Sequence, residues 1–258
     1  MKNIVDTKLH PISTSIDYIN DCKKKLESNS ILKLDNFLLP NILQDIQNEA
    51  NLLHTKAYYC SQKHTILLNK KSDSFEVNDP CNIELKSDKG CVPHDLIPKK
   101  SELRKLYEST EFVRFIENVL GINKIYPYKD TLSSINYNYY EKGQELGWHF
   151  DNASFAVTLM IQSSDSGGVF QYVSKGRDFD RNIVDKDLIS SIFNGSYPVN
   201  KLSANPGTLI LFYGRNYLHR VTPVTSKKCR ILVTLNYNLE EGVELSENAR
   251  LTFFGRLK

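Results

Sequence analysis

Gln144-Glu145-Leu146-Gly147-Trp148-His149-Phe150-Asp151 is the stretch on which the reading of this chain turns. It follows a turn signal, Glu141-Lys142-Gly143, and reads as a short strand ending in His149 and Asp151. Side chains alternate across a strand, so residues two apart share a face and can reach one point. Around it, Ile125 to Tyr128, Leu132 to Tyr140, Trp148 to Phe150, Phe155 to Ile161, Gly168 to Val173, Thr208 to Tyr213 and Ile231 to Tyr237 are short and rich in β-branched and aromatic residues. Ser166-Gly167-Gly168 and Asn205-Pro206-Gly207 punctuate them. Many short strands with such breaks predict a sandwich, jelly roll or barrel. The polar run Ser174 to Ala204 is predicted to leave that barrel and return.

The N-terminal third reads differently. Ser13 and Thr14 can cap a helix with Ile16, Ile19, Cys22 and Leu26 on its apolar face, and Pro40 suits the first turn of another helix running toward His54. Ile31 to Leu34 reads as a strand between them. Ser61 to Lys100 is polar and weakly periodic, which predicts a functional loop or lid. Helices follow from Ser101 and from Thr110, the second ending at Gly121, and Ser246 can cap a last helix. The chain is therefore predicted as one mainly β domain with added helices: a helical and lid-like part over 1–121, a β core over 122–240, and a C-terminal helix over 241–258.

Composition narrows the class. The 258 residues include 33 Lys+Arg against 30 Asp+Glu, and the basic residues are scattered, which argues against a nucleic-acid surface. No run approaches the length of a membrane span, and Met1 to Pro11 lacks the apolar core of a signal peptide. Five cysteines without a CxxC pair suggest neither a disulfide framework nor a cysteine zinc site. A cytoplasmic protein without nucleic-acid or membrane partners is the expectation, and the oligomeric state is left open, with a homodimer as one option.

His219 supplies a possible third ligand, seventy residues after His149, at the start of another strand-like segment. Two imidazoles and a carboxylate on one face of a metal leave adjacent positions open, the facial arrangement of non-haem Fe(II) oxygenases. Such enzymes need an electron-rich co-substrate. Arg230, eleven residues after His219, would return to the barrel mouth on an antiparallel neighbour, where its guanidinium matches a carboxylate of 2-oxoglutarate. The order HxD, His, Arg in a β context makes His149, Asp151 and His219 the predicted metal ligands and all four the predicted catalytic residues. His10, His54 and His94 are read as solvated, and His64 is left as a candidate for the substrate side.

These segments, with Phe155-Ala156-Val157-Thr158-Leu159, Pro206-Gly207-Thr208-Leu209, Gly214-Arg215-Asn216, His219-Arg220-Val221-Thr222-Pro223-Val224 and Phe254-Gly255-Arg256, resemble the iron/2-oxoglutarate oxygenases grouped around the free-lysine halogenases. The resemblance runs from about His94 to the C-terminus. It implies a double-stranded β-helix (jelly-roll, cupin-like) that uses Fe(II), 2-oxoglutarate and O2 on a free amino acid. It places His149, Asp151 and His219 on the metal and Arg230 on the keto acid. The halogenases carry Gly where this chain has Asp151, which frees a site for chloride; with Asp151 present, the implied reaction is hydroxylation. Many 2-oxoglutarate oxygenases have Ser or Thr two residues after that Arg, but here the position is Leu232. Tyr139, Thr158 and Thr222 are the candidates for the missing hydroxyl.

The substrate side is less legible. In the lysine halogenases a carboxylate near the position of Asn152 meets the substrate amine, so Asn152 weakens the match to lysine, and Glu145 is the alternative anion. Thr234 and Asn236 share a strand face and are candidates for an amino-acid backbone. Three readings follow: a hydroxylase of lysine or a similar basic amino acid, an oxygenase acting on a protein or carrier-bound side chain, and a non-catalytic β-barrel binding module.

Overall fold

A computed structural model describes residue 1, residues 3–173 and residues 175–258. The chain runs through α1 (Ile16–Asn29), β1 (Ile31–Leu34), α2 (Pro40–Leu53), β2 (Tyr58–His64), β3 (Leu85–Val92), α3 (Glu102–Glu108) and α4 (Thr110–Leu120). Then come β4 (Tyr126–Pro127), β5 (Ile135–Tyr140), β6 (Leu146–His149), β7 (Ala156–Gln162), β8 (Phe170–Tyr172), β9 (Arg177–Asp178), β10 (Ile183–Val184) and α5 (Lys186–Phe193). The chain ends with β11 (Asn200–Leu202), β12 (Leu209–Phe212), β13 (His219–Val221), β14 (Arg230–Leu235), β15 (Tyr237–Asn238) and α6 (Glu247–Phe254).

Eleven strands form one antiparallel sheet in the order β1-β12-β7-β14-β5-β3-β6-β13-β8-β11, with β2 added on β3. The sheet is curled into two halves. β12, β7, β14 and β5 form one wall, and β6, β13, β8 and β11 form the other. β3 joins them, pairing with β5 through Gly90 to Val92 and with β6 at Ser87. This is the double-stranded β-helix, with strands from the N-terminal part widening its first wall.

Strand parity separates two faces of that wall. Tyr137, Tyr139, Val157, Leu159, Leu211, Ile231 and Val233 pack with Leu26, Ile46, Leu106, Phe112 and Phe115 of the helices in one large core. Burying each of these large side chains contributes about 1.5–3 kcal/mol, so this layer anchors the wall. The opposite parity, Asn136, Asn138, Tyr140, Thr158, Arg230 and Thr234, faces into the barrel. The outer face of the second wall is covered by Ile66, Cys81, Ile189 and Ile192, which pack on Trp148, Phe150, Val173 and Leu218.

Several sequence expectations are met and some are corrected. β1, α2, α4 and six of the seven predicted barrel strands lie where the pattern put them, apart from ends displaced by a few residues, while the seventh, β4, forms a separate two-stranded sheet with β15. The cap of α1 is Ser15 rather than Ser13 or Thr14, and Ile16 is exposed. Ser61 to Lys100 is not one loop or lid. It holds most of β2 and all of β3, and its irregular part packs outside the second wall. β3 lacks the apolar alternation of a strand because its inward positions include the polar Ser87 and Lys89, with Cys91 alone packed on the apolar Leu132 and Phe254. The excursion after Val173 likewise contains β11, a strand of the barrel. His10 is buried, not solvated: its ring nitrogens bond to the Tyr18 hydroxyl and the Asp35 carbonyl.

Asp130 ties the C-terminal segment to the barrel. Its carboxylate accepts the N–H groups of Leu132, Ser133 and Leu245 and the Ser133 hydroxyl. Burial works to raise its pKa, but these donors outweigh it and hold the group below the usual carboxylate range. A depressed carboxylate stabilises the fold above its unfolded pKa, and that contribution is lost as pH falls through the folded value. Asp130→Ala should therefore cost about 2–3 kcal/mol at pH 7. Urea unfolding of both proteins at pH 7 and near pH 3 checks this, with the gap between them narrowing in acid.

Candidate active site

The site begins with a register. β13 runs antiparallel to β6 with His219 directly opposite His149, and the two ring centroids are 4.1 Å apart. Both imidazoles are oriented by backbone: His149 Nδ1 donates to the Gly147 carbonyl at 2.8 Å and His219 Nδ1 to the Tyr217 carbonyl at 2.9 Å. A carbonyl only accepts, so the proton sits on Nδ1 and Nε2 presents a lone pair. Asp151 follows β6 and brings Oδ1 to 3.5 Å from each Nε2. The three side chains place their ligand atoms within 4.8 Å of one another.

Electrostatics keep this set ready for a cation. Burial, reinforced by the charge of His219, pushes His149 down to about 4, so it stays neutral. Burial opposes the Asp151 carboxylate, yet His219 and His149 outweigh it and hold the group well below the usual range. With both imidazoles in the Nδ1–H tautomer, their Nε2 lone pairs and Asp151 Oδ1 converge on one point. That donor set fits Fe(II), and the Gly147 and Tyr217 carbonyls behind the imidazoles fix their orientation.

Asp151 also depends on what lies behind it. Its N–H donates to the Gly214 carbonyl at 3.1 Å, and a β-carbon at Gly214 would overlap the Asp151 carboxylate. Gly214 belongs to the Gly214-Arg215-Asn216 motif noted in the sequence. Arg215 then clasps the Asn152 carbonyl through Nε and Nη2.

Arg230 begins β14 opposite Tyr140, buried to 3% exposure. Its Nε and Nη1 have no hydrogen-bond partner, and its guanidinium lies 5.2 Å from the centre of the Tyr140 ring. Buried guanidinium donors without an acceptor call for an incoming carboxylate, which a keto diacid supplies. The residues therefore fit both the metal and 2-oxoglutarate.

The other expected residues divide. Tyr139 is on the helix-facing parity: its hydroxyl donates to the Ala50 carbonyl and its ring stacks on His54, so it cannot meet the keto acid. Tyr140 is the tyrosine beside Arg230, and one residue of parity separates the two. Thr158 pairs with Thr234, not with the row of Arg230, four residues away along β14. Thr222 uses its hydroxyl oxygen to accept the Val169 N–H. Thr234 and Asn236 do share a face and join Asn136 and Asn138 in a polar network inside the barrel.

Asn152 is exposed on the loop after Asp151. Glu145 precedes β6 at the end away from His149. Burial raises its pKa, and its charged neighbours are Lys86, Asp88 and Arg220. It is not brought to the metal ligands. His64 is buried behind them instead of facing a substrate: Nδ1 donates to the Thr65 carbonyl, and Nε2 is 2.5 Å from Ser87 Oγ. Ser87 Oγ in turn accepts the Gly147 N–H at 3.0 Å, so His64 and Ser87 brace the peptide that orients His149. Lys89 is the interior residue that sequence reasoning missed, since it stands in a strand read as loop.

Fold and site together define a class, the Fe(II)- and 2-oxoglutarate-dependent oxygenases that consume O2. The chain belongs to the halogenase D family, whose model matches residues 14–250. Solved structures share the fold at low identity. A 2OG-Fe(II) oxygenase-family oxidoreductase from Burkholderia pseudomallei aligns with TM-score 0.55 and 16% identity, covering 88% of this chain and 93% of that one. The α-ketoglutarate-dependent epimerase of nogalamycin biosynthesis aligns with TM-score 0.59 and 11% identity over 86% and 84%. A Trichoplax adhaerens prolyl hydroxylase, solved with a peptide fragment of hypoxia inducible factor, gives 0.57 and 17% over 89% and 91%. No curated protein sequence is similar enough to count as a match. Among the described residues, no helix is long and apolar enough to cross a membrane.

Two substitutions test the geometry. Gly214→Ala should displace Asp151 and weaken Fe(II) binding by about ten- to a hundredfold, with folding retained. Anaerobic titration of Fe(II) in the presence of 2-oxoglutarate reads this. Arg230→Lys should weaken the keto acid by a similar factor, because losing charge-assisted bonds costs about 1.5–3 kcal/mol. Unchanged keto-acid affinity in that variant would make Arg230 structural.

Proposed function

We propose that this protein hydroxylates an unactivated carbon of a free amino acid, releasing succinate and CO2. The observation that carries the reading is Asp151, whose Oδ1 is equidistant from both metal-ligand nitrogens at 3.5 Å. The free-lysine halogenases that the sequence resembles carry Gly at this position to admit chloride, whereas here the carboxylate is in place. His149, Asp151 and His219 would hold Fe(II), and Arg230 would hold the distal carboxylate of 2-oxoglutarate. Bound there, the iron and keto acid supply the oxidising chemistry that turns a C–H into a C–OH with O2.

The remaining residues hold and shape. Gly147 and Tyr217 carbonyls keep both imidazoles in the ligand tautomer. The polar network of Asn136, Asn138, Thr234 and Asn236 lies on the inward parity of β5 and β14, and we take it as the polar wall for a small polar substrate. α6 narrows the space by setting Phe253 against the side chain of Lys89. Lysine is the first substrate to assay, because the resembling halogenases act on it.

The test is aerobic incubation with Fe(II), 2-oxoglutarate and each of the twenty amino acids, scored by mass spectrometry for a gain of one oxygen. A gain that requires both Fe(II) and the keto acid supports the reading. Turnover of the keto acid with none of the amino acids oxidised would move the substrate to a protein or carrier-bound side chain. Asp151→Gly should lose most hydroxylation and give at most a trace of chlorinated product in excess chloride, since chloride also needs hydrogen-bond donors beside the vacated position and a substrate held nearer chlorine than hydroxyl. Undiminished hydroxylation would remove Asp151 from the metal.

A further inference from the structure

The barrel interior holds one cation more than the metal and keto acid use. Lys89 lies on the inward face of β3, between Ser87 and Cys91, and is half-buried. Its Nζ donates to Asn138 Oδ1 at 2.7 Å and lies 5.0 Å from the centre of the Phe253 ring. Among the described residues it forms no ion pair. The nearest acid whose charge acts on it is Asp151, already engaged between two histidines. Burial works against the charge of Lys89, but the neighbouring groups outweigh it and favour the ammonium; a cation so held, with one neutral amide, one ring and no carboxylate bonded to it, is open to an anion.

Charge balance says which anion. The inward parity of β3, β5, β7 and β14 offers two cations, Lys89 and Arg230, and no acid; Asp151 on the adjoining loop is the one carboxylate. With Fe(II) and dianionic 2-oxoglutarate bound, the interior is left with one uncompensated positive charge. A substrate of net charge −1 neutralises it. A neutral zwitterion leaves it unchanged, and lysine doubles it. Like charges confined in a low-dielectric space repel strongly, so the three cases differ in affinity. Asn152, exposed beside the metal loop, is an amide and cannot receive an ammonium as an ion pair.

We propose that Lys89 receives a carboxylate of the substrate and that the substrate is an acidic, not a basic, amino acid. The inference rests on the free-amino-acid reading above and names the substrate class for the same site. Lys89 is then a specificity-determining residue.

The experiment uses the full-length protein under anaerobic conditions with Fe(II) and 2-oxoglutarate, whose chelate absorbs weakly in the visible. Aspartate, glutamate, leucine and lysine are titrated, and the change in that band gives a Kd for each without turnover. In the wild type, aspartate or glutamate should bind at least tenfold more tightly than lysine. Lys89→Met should weaken the acidic ligand at least tenfold and leave keto-acid affinity within about twofold, and Lys89→Glu should shift preference toward lysine. Lysine binding the wild type as tightly as the acidic amino acids would overturn the inference, as would Lys89→Met retaining acidic-ligand affinity. Loss of keto-acid affinity in Lys89→Met would assign Lys89 to the co-substrate and overturn it too. A band that forms but answers to no amino acid would sink the free-amino-acid reading along with it. Failure of the band to form at all would strike the oxygenase assignment itself.

Discussion

Everything at this site depends on one antiparallel pairing, His219 opposite His149. A metal centre requires its ligands within a few ångströms, yet these two residues are seventy positions apart in the chain. Pairing β6 with β13 solves the problem by backbone hydrogen bonds, before any metal is present. Shifting β13 by one residue against β6 would turn His219 to the outer wall and part it from His149. The helical layer behind β5, β14, β7 and β12 matters for the same reason: by fixing the first wall, it fixes the position at which Arg230 enters the barrel. The two walls are held in common by β3, which touches both.

Much of this was legible in the sequence. The HxD, His and Arg order survives because metal and carboxylate chemistry restricts the residue types, and the surrounding strands alternate clearly. The inward-facing network was harder to see. Asn136, Asn138 and Tyr140 face the cavity while Tyr137 and Tyr139 face the helices, so the stretch is aromatic or polar on both sides and its parity is hidden. The sequence therefore offers Tyr139 as one of three candidates, where Tyr140 is the tyrosine that stands beside Arg230. β3 was missed for a related cause: a strand that lines a polar site loses the apolar period by which strands are recognised. Where a β protein builds its cavity, the pattern that betrays strands is weakest.

His64 illustrates another limit. A histidine close to a metal site invites a functional role, and the residue is indeed close, with its ring 6.2 Å from that of His149. Its contacts, however, run through Ser87 to a peptide group and not toward the cavity. Which way a side chain points is a tertiary fact, and spacing along the chain does not encode it.

The orientation of both imidazoles by main-chain carbonyls has an evolutionary consequence. Because a carbonyl persists whatever side chain its residue carries, mutation of the neighbouring positions can remodel the cavity without loosening the ligands. A lineage can then explore new substrates, or even exchange the carboxylate ligand, while two-thirds of the metal grip remains intact. Such insulation between a fixed reaction centre and a free-ranging cavity wall would let one barrel diversify by small steps, each of which leaves a working protein.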